Sequence, residues 1–463
     1  LMRVEEKFVL IETIQGDTLT PISIYQKLSG RKKFLLESSL KHEDSGRYSF
    51  IGAGPAFEIK GFESKTVITT HGGERIVSEK PLEVVKQLMS KVVVDVENSI
   101  PFIGGAIGFA SYDVARHYEK IGKNLPDYFS LPDVHFMMFE EIIAFDHLQQ
   151  KVYLYGIPLL ESTTKTELKA RLQARKNEIA EVKPKEDKVF NLTSFESVMT
   201  KEHFIEKVKK AKEYIEEGDI FQVVLSQRMT AKMNGDPFSF YRKLRIQNPS
   251  PYMYYLDFED YIVAGASPES LIKVAKNKVI TNPIAGTRPR GKNKQEDEEL
   301  AVELRNDEKE LAEHQMLVDL GRNDIGRVSE FGTVKMEKYM EIEKYKHVMH
   351  LVSEVSGVLK KEYSPIDALI ACLPAGTVSG APKIRAMEII NELEEIKRGV
   401  YSGAIGYLSA NGNLDFALAI RTMIMKGEAV YIQAGAGIVH DSDPEKEYEE
   451  TLHKLKAYLE EEK

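Results

Sequence analysis

Two short acidic patterns carry the most chemical potential in this chain. In NDEKELAEHQMLVDLGRND (306–324) Glu310 and Glu313 stand three residues apart. In PEKEYEETLHKLKAYLEE (444–461) Glu447 and Glu450 do the same, with Lys454 one turn further on. Helical spacing puts each pair on one face. Two helices offering two carboxylates each can clamp one hard dication, and an oxygen-only donor set with room left over suits Mg²⁺, which keeps positions for water or an anionic ligand. The alternative is a pair of solvated helix faces, the usual role of charge runs. Glu450-x-x-His453 also has the spacing of di-iron carboxylate bundles, but those need two such motifs on a four-helix scaffold, and the chain offers one.

Other candidates are weaker one by one. Gly435-Ala436-Gly437 follows the strand-like AVYIQ, yet His440 stands where a dinucleotide fingerprint needs its third glycine. What remains is a turn whose N–H groups could cradle a carboxylate, or a plain tight turn. CLPAGTVSGAPKIRAMEII (372–390) reads as a loop feeding a helix, with Thr377 able to offer a hydroxyl to an anion or simply to cap the loop. It lacks the G-K-[ST] context of a P-loop. Cys372, the single cysteine, lies in the apolar LIACLP and reads as an inert buried thiol. His350, in HVMHLVSEV, is either a core histidine or a proton carrier.

Elements that would position these groups alternate along the chain. Strands are expected at 6–13, 32–40, within 48–61, at 136–145 paired with 152–156, at 221–229, in the hairpin 251–267, and at 279–281, 347–359, 400–409, 413–426 and 428–438, with Asn411-Gly412 a hairpin turn. Helices are expected at 21–28 behind Thr20, 80–94, 161–182, 201–217 behind Thr200, 241–246 and 295–320. Antiparallel meanders with helices arriving singly argue α+β architecture rather than a doubly wound parallel sheet. VKPKEDKV (182–189) is the best linker, dividing residues 1–185 from 190–463.

Across 463 residues a 42% hydrophobic content supports a substantial core, while a net charge of −9 offers no basic surface for nucleic acid. One cysteine excludes a disulfide framework and fits a reducing compartment. No run approaches the length of a membrane span, and LMRVEEKFVLIE lacks the apolar core of a signal peptide. A soluble cytoplasmic protein is expected.

Taken in order, PIAGTRPRG (283–291), ELRNDEKELAEHQMLVDLGRNDIGRV (303–328), HVMHLVSEV (347–355), the 372–390 loop, YSGAIGY (401–407) and QAGAGIVHDSDPEKEYEETLHK (433–454) resemble the chorismate-utilising enzymes, and within them the anthranilate synthase component I family. FLLESS (34–39) and GRYSFIG (46–52) extend the resemblance over nearly the whole chain. It implies two antiparallel sheets packed as a β-sandwich core with helices on the outside, and a reaction in which chorismate and ammonia give an aminated intermediate that loses pyruvate to leave anthranilate. It further implies Mg²⁺ held by Glu313 and Glu450, with Glu310 and Glu447 in support and Lys454 balancing charge. Tyr401, Arg421 and the Gly435-Ala436-Gly437 amides would hold the enolpyruvyl carboxylate, and Gly286, Thr287 and Thr377 would line the ring. His350 becomes the candidate general acid at the departing hydroxyl.

Two positions separate the relatives. Water-adding members resemble this chain but carry a lysine base where Gln222 stands, and aminodeoxychorismate synthases generally carry a lysine where Ala285 stands. Aminodeoxychorismate synthase component I is therefore the nearest alternative, and a tryptophan-sensing protein without catalysis the alternative of another class. The resemblance also implies a tryptophan-inhibition pocket made by Glu37 and Ser38 with Pro251, Tyr252 and Met253. With no glutaminase-type thiol in the chain, a separate glutamine amidotransferase subunit is implied, in an assembly of two synthase and two glutaminase chains.

Overall fold

The computed structural model describes residues 8–39, 46–63, 65–92, 94, 100–182, 188–345 and 348–459. Two antiparallel sheets of 13 and 12 strands form its body. The first runs 10–15, 151–156, 141–146, 48–53, 33–37, 252–257, 262–267, 422–426, 429–438, 222–235 and 190–192, with short strands 196–197 and 380–381 attached to 222–235. The second runs 284–289, 348–358, 278–281, 270–275, 414–418, 404–409, 105–110, 134–139, 57–62, 65–70 and 73–77, with 335–344 paired to 348–358. The α+β sandwich expected from the sequence is the observed architecture. None of the described helices is long and apolar enough to cross a membrane.

Residue alternation explains why both faces of the first sheet are apolar. In KFLLE (33–37), Phe34 points into the core between the sheets, while Leu35 joins the outer core under the helices at 21–27 and 237–247. Between the sheets, Phe34 meets Phe139 at 4.8 Å and Phe50 meets Tyr407 at 5.7 Å, both edge to face, the geometry that aromatic quadrupoles favour. A third core packs the helices 201–216 and 383–393 against 222–225 and 436–438.

Both sheets contain strands from either side of the 182–189 linker, of which 183–187 lies outside the described residues. Strand 33–37 pairs with 252–257, and 105–110 with 404–409.

Among the described residues four short corners carry the chain from one sheet to the other; one joins 48–53 to 57–62, and two of the remaining three contradict the expected strands. Residues 136–145 are two strands, 134–139 and 141–146, in different sheets, and 413–426 divides into 414–418 and 422–426. Both stretches are mostly apolar because each half is covered on both faces, and the polar residues at the breaks, Glu140-Glu141 and Arg421-Thr422, sit inside what otherwise reads as one apolar run. The last corner lies between 262–267 and 270–275. The helix expected over 295–320 is likewise two, 294–306 and 308–326. Asp307 causes the interruption: its carboxylate accepts the Lys309 and Glu310 amides, each at 3.1 Å, and takes Arg288 at 2.7 Å, so it caps a new helix.

Candidate active site

Two of those corners are stitched together. Leu418 N donates to Glu269 O at 3.0 Å, Ala266 N donates to Arg421 O at 3.1 Å, and Ser267 Oγ donates to Leu418 O at 2.6 Å. The corners thereby bring Glu269 and Arg421 to one end of the sandwich.

Arg421 has φ +49, which turns the backbone between sheets. Its side chain reaches solvent, yet crowding strips enough water from the guanidinium to lower its pKa. Among the described residues it forms no ion pair or side-chain hydrogen bond. A guanidinium left this way is a receptor for a carboxylate, which it can grip through two parallel N–H bonds. Glu269 is the complementary case. Burial pushes its carboxyl from the ordinary 4.5 up to about 7, while the Thr377 hydroxyl, donating at 2.8 Å, pulls the other way. A glutamate poised there is half protonated at neutral pH and can give up a proton.

His350, on strand 348–358, lies with Nδ1 3.0 Å from Gly286 O and 3.1 Å from Thr287 Oγ1. A carbonyl only accepts, so Nδ1 carries the proton. Burial lowers the imidazole pKa, opposed by the hydrogen bond to Gly286 and helped by the charge of Arg421, which favours the neutral ring. Gly286 has φ +67, and a side chain there would meet Leu304 and approach Glu310 Oε2 to 3.2 Å. The 284–289 strand thus packs directly beside the first acidic pair.

Glu310 and Glu313 are half-buried on the 308–326 helix. Burial first, and the neighbouring Glu313 charge second, raise the Glu310 pKa. Glu447, on the 444–459 helix, is raised by burial and by Glu450, with Ser442 opposing. Glu450 itself is exposed, and Glu310 has Arg288 at 3.5 Å. Among the described residues no three acidic, histidine or cysteine side chains are already gathered as a metal cage. Glu313 instead accepts Gln222 Nε2 at 2.9 Å, and Glu450 takes Lys454 at 2.7 Å. Such hard oxygen donors fit Mg²⁺, which is commonly bound through one or two carboxylates and completed by water and ligand oxygens.

Gly435-Ala436-Gly437 is not the expected turn. It continues the strand 429–438, paired through Gly435↔Ser226, Ala436↔Leu225 and Gly437↔Val224. The neighbour on the other side, 422–426, stops at the Met423↔Ile432 register, so among the described residues no strand pairs with that edge beyond Ile432. Absence of side chains here serves close approach: a Cβ on Gly435 would lie 2.8 Å from the Tyr401 hydroxyl, and one on Gly437 2.6 Å from Gln222 Nε2. Lys454 closes the end by donating to Gly435 O at 2.9 Å.

Comparison with known proteins decides the affiliation. The chain matches the chorismate binding enzyme family over residues 32–460. It is 47% identical to anthranilate synthase component 1 of Acetivibrio thermocellus, covering 96% of this chain and 93% of the relative. It is equally identical to that of Lactococcus lactis, at 97% and 98% coverage. The crystal structure of anthranilate synthase component I from Streptococcus pneumoniae superposes with a TM-score of 0.84 at 44% identity, covering 96% of this chain and 99% of that one. The chain belongs to the anthranilate synthase component I family. MenF, the menaquinone-specific isochorismate synthase of Escherichia coli, shares the fold at a TM-score of 0.74 and 19% identity, over 98% and 95% of the two chains.

The residues expected at a tryptophan pocket lie on and beside two paired strands, 33–37 and 252–257. Strand pairing sets Met253 opposite Glu37, and Ser39 N donates to Ser250 O at 3.0 Å. Ser38 and Pro251 flank the adjoining ends of these two strands. Glu37 is buried and accepts Tyr241 at 2.8 Å and Arg245 at 2.9 and 3.0 Å, while Tyr252 donates to Asp415 at 3.0 Å. Cys372 is 3% exposed, and burial raises its thiol pKa, as expected of an inert thiol.

Two groups escaped the sequence. Glu269 was hidden in GASPES, where a charged residue between apolar strands, just after a strand-ending proline, was the available signal. Arg398 sits in EIKRG, which resembles a solvated turn, but is 1% exposed.

Proposed function

We propose that this chain converts chorismate and ammonia to anthranilate, pyruvate and water. The observation that carries this reading is the stitched corner that sets the unpaired Arg421 guanidinium and the protonatable Glu269 at one end of the sandwich. Chorismate is a dianion, so its site needs fixed charge and a proton donor more than a nucleophile.

In this reading Arg421 and the Tyr401 hydroxyl hold the enolpyruvyl carboxylate beside the 435–437 strand, and Gly286, Thr287 and Thr377 border the ring. Glu269 delivers its proton to the C4 oxygen as the C4–O bond breaks and water leaves, with Thr377 fixing which carboxyl oxygen is turned away from the ring. Ammonia bonds to C2 and sheds a proton to become the amine, and subsequent loss of the C2 proton with cleavage of the C3–O bond releases enolpyruvate, which takes up a proton on its methylene carbon to become pyruvate. His350, neutral and tied through Nδ1–H to Gly286, shapes the pocket rather than supplying this proton. Glu313 and Glu450 would hold Mg²⁺, backed by Glu310 and Glu447, with Lys454 balancing charge. The ion would supply Lewis-acid stabilisation at the ring carboxylate. Gln222 cannot act as a general base, which disfavours addition of water, and Ala285 provides no covalent nucleophile.

Purified chain with chorismate, Mg²⁺ and excess ammonium should produce anthranilate fluorescence. No product would overturn the proposal, and an aminated intermediate without pyruvate would favour aminodeoxychorismate synthesis instead. Replacing Arg421 with alanine should raise KM for chorismate by about 100-fold, the scale of a lost charge-assisted bidentate contact. A change confined to kcat would place the carboxylate elsewhere.

We further propose that ammonia comes in the cytoplasm from a separate glutamine amidotransferase chain, two of each forming the assembly, and that tryptophan inhibits by binding at Glu37, Ser38 and Pro251–Met253. Strands 33–37 and 252–257 come from opposite sides of the 182–189 linker, so a ligand between them can bias the packing that carries the site. Ser38→Arg should abolish inhibition while leaving uninhibited turnover within about twofold; unchanged inhibition in a rate assay would refute the pocket.

A further inference from the structure

We infer that the buried ion pair Arg398–Glu394 is the positioning centre of the catalytic cleft, holding in register four segments that bear its ligand-facing groups. The inference rests on the chorismate-converting reading of that cleft and concerns residues outside it. Arg398 spends all five of its N–H donors. Nε and one Nη2 proton bond the two Glu394 oxygens at 2.7 Å each. The other Nη2 proton goes to Val224 O at 2.7 Å, and Nη1 goes to Val378 O at 2.6 Å and Ser402 Oγ at 3.4 Å.

Each acceptor is a neighbour of a cleft residue. Val224 is on the strand that begins with Gln222, and Val378 follows Thr377, the partner of Glu269. Ser402 follows Tyr401, and its amide donates to Ala419 O at 2.8 Å, two residues before Arg421. Glu394 completes the set by accepting the Ser226 amide and hydroxyl, each at 2.8 Å. Ser226 lies opposite Gly435 in the sheet, and its hydroxyl also accepts Gln433 Nε2 at 2.8 Å. The guanidinium stands 5.7 Å from the Tyr401 ring and 4.6 Å from that of Tyr112.

A buried ion pair of this kind contributes little stability over well-packed apolar side chains of similar size. What apolar side chains cannot reproduce is the fork: a rigid plane that fixes the directions of three acceptors besides its own carboxylate. Neither residue faces the ligand, so both act through the groups they hold.

Arg398→Lys keeps the charge and removes the fork; Arg398→Met with Glu394→Leu removes both charges. Both should lower kcat at least tenfold and raise KM for chorismate. They should also displace the pH limb of kcat that belongs to Glu269, since Thr377 is no longer fixed against it. Hydrogen exchange should quicken at the amides of 224–226 and 377–379 and stay unchanged in the distant strand 57–62. Should the double variant fail to fold, Arg398→Lys decides. Wild-type kcat, KM, pH profile and exchange in Arg398→Lys would overturn the inference. If the wild-type chain itself made no anthranilate, the exchange comparison would still decide the positioning role, separating the two failures.

Discussion

Glu269→Gln should cost the enzyme about 10²–10⁴-fold in kcat, the range of a positioned general acid, while making the protein more stable above neutral pH. The two effects have one cause. Burial raises the Glu269 carboxyl to about 7 from an ordinary 4.5. A group whose pKa is raised by folding contributes its full share of stability below pH 4.5 and loses it progressively as pH rises to about 7. With about 1.4 kcal/mol per pK unit, the wild-type chain should forfeit up to about 3 kcal/mol over that interval, and glutamine, which does not titrate, forfeits nothing. Denaturant melts at pH 5 and 8 should therefore show the variant gaining on wild type at the higher pH. In the wild-type enzyme kcat should fall above pH 7 as the acid ionises. A variant both active and no more stable at pH 8 would remove Glu269 from the mechanism.

The second large effect belongs to Glu313→Ala, which should lower turnover about 10³-fold or more, several kcal/mol of charge stabilisation. The fold should tolerate the change. Glu310 and Glu313 repel each other, so losing one carboxylate relieves the other, and only the Gln222 hydrogen bond goes with it. Calorimetry should find Mg²⁺ raising the Tm of the wild-type chain and leaving that of the variant unmoved. Retained activity, or a retained Mg²⁺ response, would move the ion away from Glu313.

Legibility followed physical range. The acidic pairs, the Thr200 cap and the Asn411-Gly412 hairpin depend on neighbours within a few residues and could be read directly. The α+β class was inferable from antiparallel meanders and the sandwich from the family pattern, but not the pairing of 33–37 with 252–257, because nothing local names a partner more than 200 positions away. Corners at Glu140 and at 419–421 were invisible because apolar strands in both sheets run into each other. Strand 335–344, KMEKYMEIEK, escaped because it has one neighbour and mostly solvent around it, leaving little apolar alternation. Arg421 entered through the family pattern alone, and Glu269 and Arg398 not at all: their importance lies in burial and in contacts from distant segments, which no spacing rule encodes.

Density decides most directly. Crystals of the chain soaked with Mg²⁺ and chorismate, with ammonium withheld so that no amination occurs, should show one ion between Glu313 and Glu450, the enolpyruvyl carboxylate on Arg421 and the C4 hydroxyl within hydrogen-bond reach of Glu269. Chorismate bound away from Arg421, or with its C4 hydroxyl turned from Glu269, would contradict the account.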